Sequence, residues 1–230
     1  MKFTILLRAS IASVILFSFS NHFFAQDGEL VFEEVIVTAE KRDESLQTVS
    51  QAVTAITDSE IEAKNINSFV DLSSIVPGVT VAKNEGYKTI ISIRGVGNET
   101  NQNAIAAPSV AFHMDGVFIA SPFALGADFL DVERIEVLRG PQGTLFGQNS
   151  TGGAVNVISK KPTTEGAEGK LNVTFGDYNL RKLSTSNNFV INDKIASRIS
   201  ISSTTRDGFT ENIFTGQDLD DANNKSFRTD

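Results

Sequence analysis

Five glycines fall between Gly140 and Gly153, interleaved with Gln142, Thr144, Gln148, Asn149, Ser150 and Thr151. A loop of this kind could cradle phosphate or present a nucleophile, and each chemistry makes a spacing demand. A phosphate loop needs glycines five apart followed by Lys and Ser or Thr, so that backbone N–H groups and an ammonium meet the anion. Here Gly143 and Gly147 are four apart, Gln148 follows, and the lysine is missing. A nucleophile elbow needs G-x-S-x-G, but Gln148-Asn149-Ser150-Thr151-Gly152 lacks its first glycine and has no histidine nearby. His113 and Asp115 lie two apart, yet the other histidine is the distant His22 and cysteine is absent, so a protein-ligated metal is not expected. The residues predict no enzyme and no cofactor.

The elements around the loop are more informative. Val132, Arg134 and Glu136 alternate with Glu133, Ile135 and Val137, which predicts a strand. Gly140-Pro141 and Gly143 predict a tight turn. Ala154-Val155-Asn156-Val157-Ile158 predicts a second strand, stopped by Lys160-Lys161-Pro162. The whole line, Glu133-Arg134-Ile135-Glu136-Val137-Leu138-Arg139-Gly140-Pro141, then Leu145-Phe146-Gly147, Gly152-Gly153, Asn156 and Ser159-Lys160-Lys161-Pro162, resembles the end of the plug domain of TonB-dependent outer-membrane receptors. That resemblance implies an α+β plug domain followed by the first antiparallel strands of a large transmembrane β-barrel. It further implies uptake of a scarce nutrient across the bacterial outer membrane, a ferric siderophore foremost, with any iron arriving already chelated.

Composition sets bounds. The chain has 230 residues, 40% hydrophobic and 21% charged, which suits a folded chain with a real core. The net charge of −8 and the lack of a basic patch argue against nucleic acid as a partner. Met1 to Ala25 reads as a secretory signal peptide: Lys2 and Arg8 precede an apolar run from Ile11 to Phe19 that is too short to span a bilayer. Its removal leaves 18 basic against 28 acidic residues, so a mature charge of −10.

Residues 26–45 form a leader that carries the β-branched run Glu34, Val35, Ile36, Val37, Thr38, Ala39. Read alone, this is an edge strand or a stray extended segment. By resemblance it is a Ton box, the segment that TonB of the inner-membrane energy-transducing complex grips by strand addition. The short lead before Glu34 matches neither the transducer subclass nor the glycan importers, which implies transport without transcriptional signalling.

Residues 46–162 are expected to be the plug. Val49 to Ile56 reads as a strand, Thr57-Asp58-Ser59-Glu60 as a capping box, and Ser68 to Val76 as a second helix stopped by Pro77-Gly78. Val79 to Ala82, Thr89 to Ile93 and Pro108 to Met114 read as strands, with a turn at Asp115-Gly116. From residue 163 to 230 the first barrel strands are expected. Leu171, Val173 and Phe175 alternate with Lys170, Asn172 and Thr174, and Ile195, Ser197, Ile199 and Ile201 with Ala196, Arg198 and Ser200. Leu180 to Ile191 fits less well, because Ser184 to Asn188 is polar on both faces. A plugged transporter barrel has about 22 strands, so roughly three imply an N-terminal piece of a longer receptor, since an open edge is costly in lipid. A soluble antiparallel sheet makes the same pattern, and a periplasmic plug-like binding module is the alternative.

The resemblance also nominates site residues. Arg94, Glu133, Arg134, Glu136 and Arg139 are expected to meet the barrel wall, with Arg94 and Arg139 foremost. Tyr87, Asn98, Asn101, Gln102 and Asn103 from one loop, and Phe118, Ser121 and Phe123 from another, are the candidate contacts for a small-molecule chelate or other nutrient. Outer-membrane lipid is the remaining partner, and Tyr178 is a candidate for its interfacial girdle.

Overall fold

The computed structural model of the chain describes residues 35–38, 42, 44–84, 88–97, 108–121, 124–126 and 128–230. The signal-peptide reading, Glu34 and Ala39, and Tyr87, Asn98, Asn101, Gln102, Asn103 and Phe123 lie outside the described residues.

The plug is built on one mixed sheet. In chain order its strands are β1 (Ile36–Val37), β2 (Glu44–Ser45), β3 (Val53–Thr57), β4 (Val79–Asn84), β5 (Lys88–Ile93), β6 (Val110–Met114), β7 (Val117–Phe118), β8 (Val132–Arg139) and β9 (Gly153–Ser159). Five of them form a sheet in the order β3-β8-β9-β6-β7, antiparallel except for the β6/β9 pair. β9 lies at its centre and reads almost continuously buried, as a strand covered on both faces should. One face carries Ile56, Phe112, Ile135, Val137, Val155 and Val157, packed against Phe69, Leu72 and Val76 of the helical segment and the β4/β5 hairpin. Phe69 stands edge-on to both Phe112 and Phe129, with centroids 5.3 and 4.8 Å away. On the other face Ala111, Leu138 and Ala154 are covered by Val37 and Phe146.

The helices are short. Thr57 caps α1 (Asp58–Ala63): its hydroxyl accepts from the Glu60 N–H and the Glu60 carboxylate accepts from the Thr57 N–H, the capping box read in the sequence. The second helix opens as a 3₁₀ turn at Phe69–Asp71, tied by Asp71 Oδ2 to the Ser68 and Asn67 N–H groups, and continues as α2 (Leu72–Ile75). The loop between β8 and β9 is more than a turn, since α3 (Gly143–Phe146) drops Phe146 onto the second face. Gly153 shows why small residues are demanded there: at φ +150° an added Cβ would sit 2.3 Å from the Leu138 carbonyl oxygen.

After the plug come β10 (Glu168–Gly176), β11 (Leu180–Asn192), β12 (Ile195–Arg206) and β15 (Ala222–Thr229), one antiparallel sheet in the order β10-β11-β12-β15. Between β12 and β15 a long loop folds into the small hairpin β13 (Thr210–Glu211) and β14 (Asp218–Leu219). Register sorts this wall into two faces. Leu171, Val173, Phe175, Leu183, Ile199, Ile201 and Phe227 share the face turned away from the plug, whereas Lys170, Asn172, Lys182, Ser184, Ser186, Asn188, Arg198, Ser200 and Arg228 share the other. Leu171, Val173, Phe175 and Phe227 are more than half exposed on their outer face, the apolar-out, polar-in pattern of a lipid-facing sheet.

Two sequence expectations change here. Leu180 to Ile191, read as ill-fitting, belongs to the longest strand among the described residues. Its inward polar residues have partners: the Asn188 side chain donates to the carbonyls of Thr163 and Gly166 and accepts from the Thr163 N–H. Its outward Asn187 donates to Thr185 at 3.0 Å. The wall also has a fourth strand, β15, hidden in the sequence because Phe227 is the one large apolar residue of its outward set. No helix among the described residues is long and apolar enough to cross a membrane; the wall strands are a separate matter.

Candidate functional site

Of the β-branched run, Val35–Thr38 is docked on the plug. β1 pairs antiparallel with β2, Ile36 opposite Ser45 and Val37 opposite Glu44. The Val37 side chain is fully buried against Ala111, Leu138, Phe146 and Ala154, while Ile36 faces outward. Beyond it, the Thr38 N–H donates to Glu136 Oε1 at 2.7 Å and the Thr38 hydroxyl lies within 3.2 Å of both carboxylate oxygens. Glu136 has no exposed surface, so its carboxylate needs internal donors. Arg134 Nε at 3.0 Å and Asn156 Nδ2 at 3.3 Å supply the rest. Glu136 is therefore a bolt between Val35–Thr38 and the central sheet, with no atom accessible to the four wall strands described.

The other nominated charges also stay within the plug. Arg134 forms ion pairs with Glu133 and Glu136. Arg94 is exposed at φ +53°, with its N–H donated to the Gly78 carbonyl at 2.7 Å and no side-chain ion pair among the described residues. Arg139 gives its backbone N–H to Ala52, and its Nε is buried with no partner among the described residues. Among the described residues none of the five forms a hydrogen bond or ion pair with β10, β11, β12 or β15. Of the nominated ligand contacts, Ser121 is exposed, and Phe118 packs half-buried beside His113 with ring centroids 5.6 Å apart. Tyr178 occupies the β10–β11 turn, exposed and tilted against Phe209.

The plug meets the wall through different residues. Asp131, at φ +54° ahead of β8, accepts from Arg198 Nε at 2.5 Å, Arg198 Nη2 at 2.8 Å and the Ser200 hydroxyl at 2.7 Å. Both partners of this forked pair are about nineteen-twentieths buried, at 5% and 6% exposed. Burial pushes the Asp131 carboxyl up, but the hydrogen bonds from Arg198 and Ser200 and the guanidinium charge outweigh it and hold it below the usual carboxylate range. Asp115, in the β6–β7 turn, behaves likewise: burial raises it, and hydrogen bonds from Ser159 with the charges of Arg228 and Lys161 lower it further. Arg228 of β15 lies 3.1 Å from Asp115, and Thr204 of β12 donates to Asp128 at 3.1 Å. Toward β10 and β11 the contacts are looser: Glu62 pairs with Lys170, and Asn67 accepts from Lys182. The sequence held one signal for this interface, an isolated Arg198 at an inward position of an alternating strand. Its aspartate partner, Asp131, lies just ahead of the charges of the β8 line.

No group of three or more metal-ligating side chains occurs among the described residues. What the arrangement offers is mechanical: a bolted edge segment, a sheet and a wall contact.

Known proteins of this kind share both parts. Residues 45–154 match the TonB-dependent Receptor Plug Domain family. The iron-regulated outer membrane virulence protein of Vibrio cholerae is 32% identical over 148 residues, 62% of this chain and 22% of that protein. The vitamin B12 transporter BtuB of Vibrio vulnificus is 34% identical over 146 residues, 60% of this chain and 22% of that protein. The crystal structure of the ferric yersiniabactin uptake receptor FyuA from Yersinia pestis superposes with a TM-score of 0.64 at 24% identity, over 77% of this chain and 27% of that one. The chain thus spans about a fifth to a quarter of the length of such relatives, which are outer-membrane receptors and transporters rather than enzymes. Over residues 45–154 the chain carries the plug domain of TonB-dependent receptors, and the strands that follow fold like the start of such a receptor's barrel wall.

Proposed function

We propose that the receptor to which this plug and wall belong imports a scarce nutrient, in the first place a ferric siderophore, across the outer membrane, driven by TonB acting on residues 34–39. Support for iron comes from relatives whose names carry it: an iron-regulated protein and a ferric yersiniabactin receptor. Vitamin B12 is the substrate named for another relative and stands second. The observation that carries the mechanical half is the seating of Val35–Thr38 as an edge strand, paired with the two-residue β2, joined at the Val35 carbonyl to the Leu46 N–H, bolted by Glu136 and anchored by the buried Val37. A two-residue pairing is marginal by itself, so a partner that adds a strand to Ile36 and Val37 competes with two ladder pairs, while the Thr38–Glu136 bonds and the buried Val37 set the load needed to release the segment. A soluble plug-like module is not favoured, because its wall would leave Leu171, Val173, Phe175 and Phe227 in water.

The test is complementation. The full receptor is expressed in an iron-starved host stripped of its own ferric receptors and supplied with ferric tris-catecholate, tris-hydroxamate or phenolate chelates. Growth on at least one chelate, abolished when TonB is deleted, is expected. Growth on none, or growth indifferent to TonB, overturns the proposal.

A further inference from the structure

Register places two cations on the outward face of the wall. Arg181 of β11 stands opposite Thr205 of β12, which stands opposite Asn223 of β15. In the next outward row Leu183, Ser203 and Lys225 face one another across the same three strands. Arg181, Thr205, Asn223 and Lys225 are exposed, and Ser203 is half-buried. Arg181 and Lys225 are two strands and two residues apart, about 12 Å between Cα atoms at about 4.8 Å per strand and about 3.4 Å per residue. Side chains of their length close that gap from both ends. Arg181 donates its Nε to the Asn179 side chain at 3.1 Å, and neither cation has an ion pair among the described residues. Among the described residues, the outward positions of these strands and of β10 carry no carboxylate.

Loop lengths decide which end of the wall these residues occupy. Asp193 and Lys194 alone join β11 to β12, whereas residues 207–221 connect β12 to β15. Outer-membrane barrels keep short turns on the periplasmic side and long loops outside, so the end at Arg181 and Thr205 faces the cell exterior. Arg181 stands at that end. Lys225 lies two residues inside it, with a four-carbon stem that carries its ammonium outward along the apolar face. Beneath them Ile201 and Phe227 continue the apolar band. A cation on a lipid-facing strand costs most at the midplane and least near the interface, which suits a pair confined to one end. Asp207 and Asp221, in the loop above, line a hollow with Thr205 and Asn223. Their charge turns an anion away from the loop and toward Arg181 and Lys225.

We propose that Arg181 and Lys225, with the Ser203 hydroxyl on the strand between them, seat the phosphorylated saccharide headgroup of an outer-leaflet lipid. The guanidinium and the ammonium pair with phosphate oxygens, Ser203 meets a sugar hydroxyl, and Leu183, Ile201 and Phe227 meet the acyl chains. A lipid fits better than a free anion because the two cations interrupt a face whose other large side chains are apolar. The seat is independent of what the receptor imports.

The test uses the full receptor in detergent, titrated with bisphosphorylated lipid A or with the same lipid stripped of both phosphates, bound lipid being counted by native mass spectrometry. The phosphorylated lipid should half-saturate the receptor at a concentration about tenfold below the stripped one. Arg181→Gln and Lys225→Gln should each weaken it about fivefold and the double substitution about 25-fold. Lys194→Gln, at the opposite end of the wall, should change it by less than twofold. Every variant should keep the heat-modifiable folded band, because losing a lipid-facing charge does not destabilise a barrel. Equal binding of the two lipids, a double variant that binds as the unaltered receptor does, or an equal loss in Lys194→Gln overturns the seat. Displacement of the lipid by millimolar inorganic phosphate overturns the lipid as occupant.

Discussion

Asp131→Asn isolates the charge at the clamp between plug and wall. Asparagine matches aspartate in size and is among the residues that accept the left-handed backbone, so φ +54° at this position is kept. The amide oxygen still accepts from Arg198, but its second arm now carries N–H donors that face the guanidinium and the Ser200 hydroxyl. One charge-assisted hydrogen bond is lost, worth about 1.5 to 3 kcal/mol. A guanidinium 5% exposed loses its forked counter-ion, with Glu168 3.9 Å away as partial relief. The net cost is therefore set at about 2 to 3 kcal/mol, below the 3 to 5 expected for an unrelieved buried charge. Hydrogen exchange of the full receptor in detergent reads this directly. Amides of 128–137 should lose about 30- to 150-fold in protection, since each 1.4 kcal/mol is about tenfold, while α1 changes by less than threefold. Protection of 128–137 within threefold of the unaltered receptor would refute the claim that this fork holds the plug.

Other perturbations separate the remaining parts. The depressed Asp131 and Asp115 carboxyls contribute stability that is present above the unfolded value of about 4 and lost as pH falls from there through their lower folded values. Melting followed against pH should be flat from 7 to about 5 and fall below about 4, with a shallower fall in Asp131→Asn. Gly153→Ala places a methyl 2.3 Å from a backbone oxygen and 2.8 Å from Ile93 Cδ1, so outer-membrane levels of the receptor should collapse. Gly147→Ala at φ +76°, ψ −151° meets open space but a backbone region that only glycine adopts readily, and should cost about 1 to 3 kcal/mol by urea titration. Val173→Arg puts a cation on the outward face, at about 2 to 4 kcal/mol near the membrane midplane, and should reduce the heat-modifiable folded band on gels. Glu136→Ala removes the acceptor of the Thr38 N–H, and a spin label at Ile36, immobile in the unaltered receptor, should become mobile.

Much of the fold was legible because its signals are local. The capping box at Thr57 and Glu60, the turn at Asp115-Gly116 and the alternation along β10 and β12 each involve neighbours a few residues apart. Partnerships across the chain were not. Glu136 reads as a wet-face charge by alternation, and nothing within its own strand reveals that Thr38, 98 residues away, closes over it. Asp131 precedes a signature line whose arginines drew attention, yet the wall arginine, 67 residues on, chose the aspartate. The polar middle of β11 looked unfit for a barrel because each residue was judged against lipid or water, when Asn188 faces the chain at Thr163 and Gly166. Burial by a distant segment leaves no periodic mark.

The central claim, that Val35–Thr38 serves as a strand pulled by TonB, is tested most directly by Val37→Pro in the full receptor, with radioiron uptake and surface binding of one imported ferric chelate measured on the same cells. Proline removes the N–H that a partner strand would use and fixes φ. The account predicts binding within twofold of the unaltered receptor and energised uptake reduced to the level of a TonB-deleted host. Uptake at the unaltered rate would contradict it.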